Sequence, residues 1–263
     1  MISNSDNLLN NKLFLFDAKD HITFLTNKVD ADYHSHNYIQ ITIGLEKKFT
    51  INIENEEFYT KGIILGSNIS HKLKGYNEWQ LYLLINPESI FGETIKRNIL
   101  NETEIYILEE KNINKIIQPD IHTIIETISS EGYCNFVKKI KEALNVSIFD
   151  LDHKIDNRVL EILAYIESYP LDKLTVKELS NKVFLSESRL SHLFKEEIGI
   201  SLTSYILHEK LKKAFYLILK GLSITDAAME VGFSSSSHFT RSARDKLGMA
   251  PRTIIKDSRY LKV

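Results

Sequence analysis

Up to about Asn86 the apolar positions recur every second residue: Phe14 and Phe16, then Ile39, Ile41 and Ile43, then Phe49, Ile51 and Ile53, and finally Leu81, Leu83 and Ile85. Side chains of a strand point to alternate faces, so this pattern predicts strands. Turn-forming residues punctuate the runs at 54–57 (ENEE), Lys61-Gly62, Gly66-Ser67-Asn68 and Gly75-Tyr76-Asn77, and short strands at that spacing predict a closed or double-sheet β barrel. From Pro87 the period becomes helical, with PESIFGETIKRNIL opening on a proline suited to a first turn. TEIYIL predicts a short strand. Two helices should follow, at about 119–130, where Ile121, Ile124, Ile125 and Ile128 share a face, and at 133–149. LDHKIDN, residues 151–157, is the expected linker, dividing the chain into 1–152 and 153–263.

The remainder has helical periodicity and repeats itself. In the stretch from Leu222 to Pro251, Ile224, Ala227, Ala228 and Val231 form an i, i+3, i+4, i+7 stripe that breaks at Gly232-Phe233. Ser223 and Asp226 give this helix a capping-box-like start. A second helix follows with Phe239, Ala243 and Leu247 on one face. Helix, glycine turn, helix is the plan of a helix-turn-helix, whose second helix enters the DNA major groove. The segment from Leu174 to Gly199, 48 residues earlier, overlays it: Leu174 on Leu222, Val176 on Ile224, Val183 on Val231 and Ser186 on Ser234. One extra residue in the second copy then aligns Leu190 with Phe239, Lys195 with Arg244 and Gly199 with Gly248. In the first copy Thr175 and Glu178 make a capping box. SLTSYILHEKLKKAFYLILKG, 21 residues between the copies, predicts one amphipathic helix about 30 Å long. Successive major-groove entries on one DNA face lie about 34–36 Å apart.

A-x-x-V-G-F, S-x-x-H-F-x-R and K-L-G-x-x-P in the second copy, together with the duplication, resemble the DNA-binding domain of the AraC/XylS transcription regulators, over roughly Ile155 to Ile255. One departure is Ala243, where the family has an aromatic residue matching Phe194 of the first copy; its loss should shrink the packing there. In each second helix the positions left facing the groove are Ser188, Arg189, Ser191 and His192, and Ser236, Ser237, His238, Thr240 and Arg241. Arginine suits bidentate contact to guanine, so Arg241 and then Arg189 should dominate base readout. Ser186, expected to cap the first reading helix, should serve phosphates with Lys195, Arg244, Lys246 and Arg252. The alternative for each charged residue is a solvated side chain without a partner.

Charge sharpens the division. Residues 154–263 hold 18 Lys+Arg against 13 Asp+Glu and residues 1–153 hold 15 against 22, so only the C-terminal part suits a polyanion. The single cysteine, Cys134, excludes an internal disulfide; its apolar helical surroundings predict a buried thiol. The sequence shows neither a signal peptide nor 18 consecutive apolar residues, which argues against secretion and membrane spanning and makes the cytoplasm the expected location.

His34-Ser35-His36 before a strand, and His71 after Gly66, resemble the two motifs of a cupin barrel, which many AraC/XylS regulators carry as an effector domain. The expected fold is thus α+β, a cupin-like barrel with following helices and an all-α C-terminal domain with two helix-turn-helix motifs on a long helix. His34, His36, Gln40 and His71 stand where metal-binding cupins place two histidines, a glutamate and a third histidine. Gln40 removes the carboxylate that would offset an ion's charge, and sensor barrels of the family generally work without metal, so no metal or cofactor is expected. These four, with Trp79 and Tyr82, are the candidate effector contacts, against structural histidines and barrel-filling aromatics as the plain alternative. The resemblance implies a transcription regulator, more an activator than a repressor, with double-stranded DNA, RNA polymerase and an unidentified small molecule as partners. The helices after the barrel either pair two subunits as a homodimer or merely cover it. A metal-dependent cupin enzyme with a helical appendage is the alternative, and a barrel with helices for protein association a third. No nucleophile with a neighbouring base or phosphate-binding glycine loop suggests other catalysis.

Overall fold

The computed structural model describes residues 13–18, 20–27, 30–36, 38–87, 89–101, 103–117, 129–146, 155–198, 200–247 and 250–252, and the backbone of 258–262. Among the described residues nine strands precede the first helix: β1 Leu13–Asp17, β2 His21–Thr26, β3 Ala31–His34, β4 Ile39–Gly44, β5 Phe49–Ile53, β6 Glu56–Thr60, β7 Gly62–Leu65, β8 His71–Lys74 and β9 Gln80–Ile85. After them come α1 Ile90–Ile95, which runs into a π turn over Lys96–Leu100, β10 Ile105–Ile107, α2 Glu110–Ile117 and α3 Ser130–Ala143. The segment predicted as a helix at 119–130 lies almost wholly outside the described residues, as does most of the predicted linker.

The strands form two sheets, a seven-stranded one in the order β10-β7-β4-β9-β2-β1-β11 and a four-stranded one in the order β3-β8-β5-β6, with β11 spanning Ser258–Lys262. No ladder joins the two sheets among the described residues, so of the closed and double-sheet forms expected the closed one is not found and the strands stand as two open sheets. Leu13, Leu15, Phe24, Ile63, Leu65 and Leu84 of the large sheet form one buried cluster with Phe49, Ile51, Ile53 and Leu73 of the small one. On the other face of the large sheet, Phe14, Ile39, Ile41, Ile43, Leu81, Leu83 and Ile85 pack with Phe91, Ile95, Ile113, Ile116, Phe136 and Ile140 of α1–α3. The isoleucines of β4 thus face helices, and Gln40 and Thr42, buried between them in sequence, take the opposite, inter-sheet face. In α3 the stripe Tyr133, Phe136, Val137 and Ile140 is buried, whereas Cys134 lies off it and is exposed, correcting the expectation of a buried thiol.

The helical part comprises α4 Asn157–Ser168, α5 Val176–Lys182, α6 Glu187–Ile198, α7 Leu202–Leu219, α8 Ile224–Glu230 and α9 Ser236–Leu247. Leu202 and Ile206 at the start of α7 join the core of α4–α6, which includes Val159, Ile162, Leu179, Leu190 and Phe194. Its later residues Leu211, Ala214, Phe215 and Ile218 join Ala227, Ala228, Phe239, Ala243 and Leu247 of α8 and α9. One helix therefore contributes buried residues to the core of each neighbouring pair. Ala243 is fully buried, and the space beside it is used by Phe239, whose ring lies 5.5 Å from that of Phe215 and 5.3 Å from that of Phe233.

The C-terminal part is not all α. β11 pairs parallel with β1, Leu13 opposite Ser258 through Asp17 opposite Lys262, so the end of the described chain returns to the N-terminal sheet. A parallel partner needs a long crossover, and here the whole chain between the two strands supplies it.

Candidate nucleic-acid interface and histidine cluster

Each helix pair is set by its caps. Thr175 Oγ1 accepts from the Glu178 amide at 3.1 Å while Glu178 Oε2 accepts from the Thr175 amide at 3.1 Å, the predicted reciprocal capping box of α5. Ser223 Oγ accepts from the Asp226 amide at 3.0 Å at the start of α8. For the two second helices, Ser186 Oγ accepts from the Arg189 amide at 3.2 Å and Ser235 Oγ from the His238 amide at 3.1 Å. The turn of the second pair needs Gly232: its φ is +82°, and a Cβ there would lie 2.6 Å from Asp172 Cα. Phe184 holds the matching place in the first pair at φ 54°, with its side chain 94% exposed.

The caps and inward residues fix which side chains face out. On α6, with Leu190, Leu193 and Phe194 buried, Ser188, Arg189, His192 and Lys195 are exposed and Ser191 is half-buried. Two of these are engaged with their own helix: Ser191 Oγ donates to Glu187 O at 2.7 Å, and His192 Nδ1 lies 2.8 Å from Ser188 O. On α9, Ser237, His238, Arg241 and Arg244 are exposed and Ser236 and Thr240 half-buried. His238 is held at the helix start by Ser234 Oγ at 3.1 Å and edge-on to Phe233. Ser236, Ser237, Thr240, Arg241, Arg244 and Arg252 line one shallow cleft, open to solvent.

Lys246 is placed differently. It lines a crevice with Tyr205, His208 and Glu209 of α7 and with Asp20, Tyr38 and Asn86 of the strand-rich part. Burial lowers its pKa from the ordinary lysine value.

That crevice belongs to a contact that sequence reading did not single out. Lys212 Nζ lies 2.9 Å from buried Asp17 Oδ1 and 2.8 Å from Glu209 Oε1. Burial works against the Lys212 charge, but Glu209 and Asp17 prevail and hold its pKa above the usual value. The Tyr38 hydroxyl hydrogen-bonds His208 Nδ1. Burial, and then the charges of Lys212 and Lys246, push the His208 pKa down to about 3. The signal was present: Tyr205, His208, Glu209 and Lys212 form an i, i+3, i+4, i+7 row of polar groups on α7, beside the polar Thr203, Ser204, Lys210 and Lys213 of the same helix.

Between the sheets, His34, His36 and His71 converge. His34 and His71 are register partners across β3 and β8, and His36 follows in the segment leading to β4. His36 and His71 are buried and His34 is half-buried. Burial drives the His36 pKa down to about 4 and that of His71 to about 3, with the neighbouring imidazoles opposing protonation further. Gln40 Oε1 lies 2.8 Å from His36 Nε2, and Gln40 Nε2 donates to Thr42 Oγ1 at 2.9 Å. Tyr82 belongs to the inter-sheet cluster and donates to Gln80 Oε1. Trp79 belongs instead to the cluster under α1–α3, near Phe14. The structure thus brings four of the six candidate effector residues together, puts Tyr82 in the same core and separates Trp79 from them.

The comparisons agree with the helical half. Residues 179–257 match the family model described as a helix-turn-helix domain. The chain is 27% identical over 235 residues to a probable transcriptional regulator, LumQ, of Photobacterium leiognathi, covering 83% of this chain and 90% of that protein. It is 33% identical over 112 residues to the arabinose operon regulatory protein of Escherichia coli K12, covering 42% of this chain and 37% of that protein. Among solved structures, that of ToxT from Vibrio cholerae O395 is similar over 92% of this chain and 95% of that one, at 13% identity and a TM-score of 0.46. The relatives are transcriptional regulators, not enzymes. The C-terminal part of the chain is an AraC-type helix-turn-helix domain, and the chain is related to the AraC/XylS transcriptional regulators.

Proposed function

We propose that the chain is a sequence-specific DNA-binding regulator whose two helix pairs read successive major grooves on one face of the duplex. One observation supports this above the others: α6 and α9, each exposing arginine beside small hydroxyl residues, share their cores with the single continuous helix α7. At 18 residues α7 is about 27 Å long, enough to place two heads near adjacent groove entries. Arg241 and Arg189 read bases, with Ser188, Ser191, His192, Ser236, Ser237, His238 and Thr240 around them. Ser186, Lys195, Arg244 and Arg252 hold phosphates; Lys246, in the crevice against Tyr38 and His208, is the weakest member of that set.

In this reading residues 1–152, with a cupin-like arrangement of sheets, receive a small molecule, and residues 153–263 bind DNA. An effector acts by favouring one arrangement of α7 against the large sheet over another, and the Asp17–Lys212 and Tyr38–His208 contacts supply the arrangement that it shifts. Activation through RNA polymerase, a homodimer and a cytoplasmic location complete the proposal; no helix among the described residues is long and apolar enough to cross a membrane.

Selection from a randomised duplex pool tests it. Wild type should enrich two half-motifs about one helical turn apart, and Arg241→Ala should relax the preference at one base of the half read by α9. Failure to enrich any sequence at low salt, with and without cell extract as a source of effector, would contradict the proposal.

A further inference from the structure

The function proposed above uses none of the three histidines between the sheets, and their geometry points to a ligand of its own. The rings of His34 and His71 are 4.3 Å apart, those of His36 and His71 5.4 Å, and those of His34 and His36 5.6 Å. Each ring has one nitrogen engaged by an oxygen that can only accept. His34 Nδ1 donates to Asp32 O at 2.8 Å, His71 Nδ1 to Ile69 O at 2.9 Å and His36 Nε2 to Gln40 Oε1 at 2.8 Å. That fixes all three tautomers and leaves a lone pair on the other nitrogen of each ring. One ring nitrogen from each residue lies within 4.8 Å of one from each of the others. His36 Nδ1 and His71 Nε2 are buried without a hydrogen-bond partner.

Buried acceptors that nothing satisfies are costly, and folded chains rarely keep two side by side. A third imidazole beside them, that of His34, makes the cluster a nest of donors for a cation. We propose that His34 Nε2, His36 Nδ1 and His71 Nε2 hold a divalent transition-metal ion of the zinc, cobalt, nickel or iron(II) type. An all-imidazole set selects that class, because calcium and magnesium require oxygen ligands. The oxygens of Asp32, Ile69 and Gln40 are the outer partners that orient metal-bound histidines, and Thr42 holds Gln40 in turn. A tetrahedral ion at about 2.1 Å from each nitrogen needs them about 3.4 Å apart, so the rings close by about 1 Å or a little more on binding. Half-buried His34 provides the approach from solvent. Three protein ligands leave a fourth position open. No carboxylate belongs to the set, so the ion keeps its double charge, and that position suits water, hydroxide or the carboxylate of a small molecule.

The site stands whether or not the helices bind DNA, and its test needs no DNA. Untagged full-length protein, stripped with a chelator, is titrated with Co²⁺ and followed by visible absorption, then challenged with Zn²⁺. One equivalent should bind with the intense d–d bands of four- or five-coordinate cobalt, and Zn²⁺ should displace it. His36→Ala and His71→Ala should each weaken binding at least 100-fold and lose the bands. His192→Ala and His238→Ala, on the exposed helix faces, should leave both unchanged. Gln40→Ala, which keeps all three ligands, should weaken binding about 10- to 100-fold while retaining the bands, a result that simple misfolding would not give. Absence of a stoichiometric site, or a cobalt spectrum that survives His36→Ala and His71→Ala, would overturn the proposal.

Discussion

At the scale of single residues, the two turns of the repeat solve one backbone problem differently. Gly232 takes a left-handed φ without penalty and sits too close to Asp172 for any side chain. Gly232→Ala should therefore destabilise the protein by more than about 1 kcal/mol. Phe184 occupies the same conformation with a ring almost entirely in water, so Phe184→Gly should cost nothing and gain about 0.5–1 kcal/mol. Urea unfolding of both variants checks the opposed signs. The sequence showed glycine as a turn only in the second copy; in the first, a bulky phenylalanine hid it. His208 offers a second residue-scale prediction. Its pKa falls from an unfolded value near 6.5 to about 3 in the fold, so it is neutral in the folded protein wherever the unfolded chain begins to protonate. It adds no pH dependence above about pH 6.5, and stability should fall as pH drops below that value toward 3, by at most about 1.4 kcal/mol per pH unit. The stability-versus-pH slope of His208→Gln between pH 6.5 and 4.5 should be shallower than wild type by up to one proton; identical slopes would refute the assignment.

At the scale of elements, the helices were legible because their capping residues and apolar stripes are local. Thr175, Ser223, Ser186 and the run Leu190, Leu193, Phe194 do in the fold what their spacing implied. The strands were legible as strands but not in their facing. Ile39, Ile41 and Ile43 would alternate identically whether they faced a barrel interior or a layer of helices, and only packing against α1–α3 decides it. The same limit hid the place of Trp79 and the exposure of Cys134, each one position away from a pattern that could be read either way. The reading helices yield a prediction of their own. If Lys195 on α6 contacts a phosphate, Lys195→Ala should reduce the slope of log affinity against log salt by about 0.9 and weaken binding about equally on all sequences. Arg241→Ala should instead relax preference at one base, at a cost of about 1–3 kcal/mol on the selected site.

At the scale of the whole molecule, the two parts are joined by more than a linker. β11 lies on β1, and the half-buried Lys212 of α7 reaches the buried Asp17 at the end of that same strand. The polar row on α7 that includes Lys212 could be read in the sequence, but its partner could not, because neither a lysine nor a five-residue terminal strand carries a periodic signal of a partner some 200 positions away. Breaking a buried ion pair from one side leaves a charge uncompensated, costing about 3–5 kcal/mol, while removing both ends is far milder. Lys212→Met should thus be strongly destabilising, and Asp17→Asn combined with Lys212→Met should recover a large part of the loss; a double-mutant cycle by urea unfolding measures this, and additive losses would show the pair to be unimportant. Glu209, which also faces Lys212, limits the recovery.

In the function proposed here α7 is a beam holding α6 and α9 over one face of DNA. Duplexes carrying the selected half-motifs, with about 5 or about 10 base pairs inserted between them, test it most directly in a binding titration at fixed salt. Half a turn puts the second half-motif on the opposite face, so the 5-base-pair insertion should reduce affinity to that of a single half-motif, and the 10-base-pair insertion, which exceeds the reach of a 27 Å helix, should do the same. Affinity indifferent to either insertion would contradict the account.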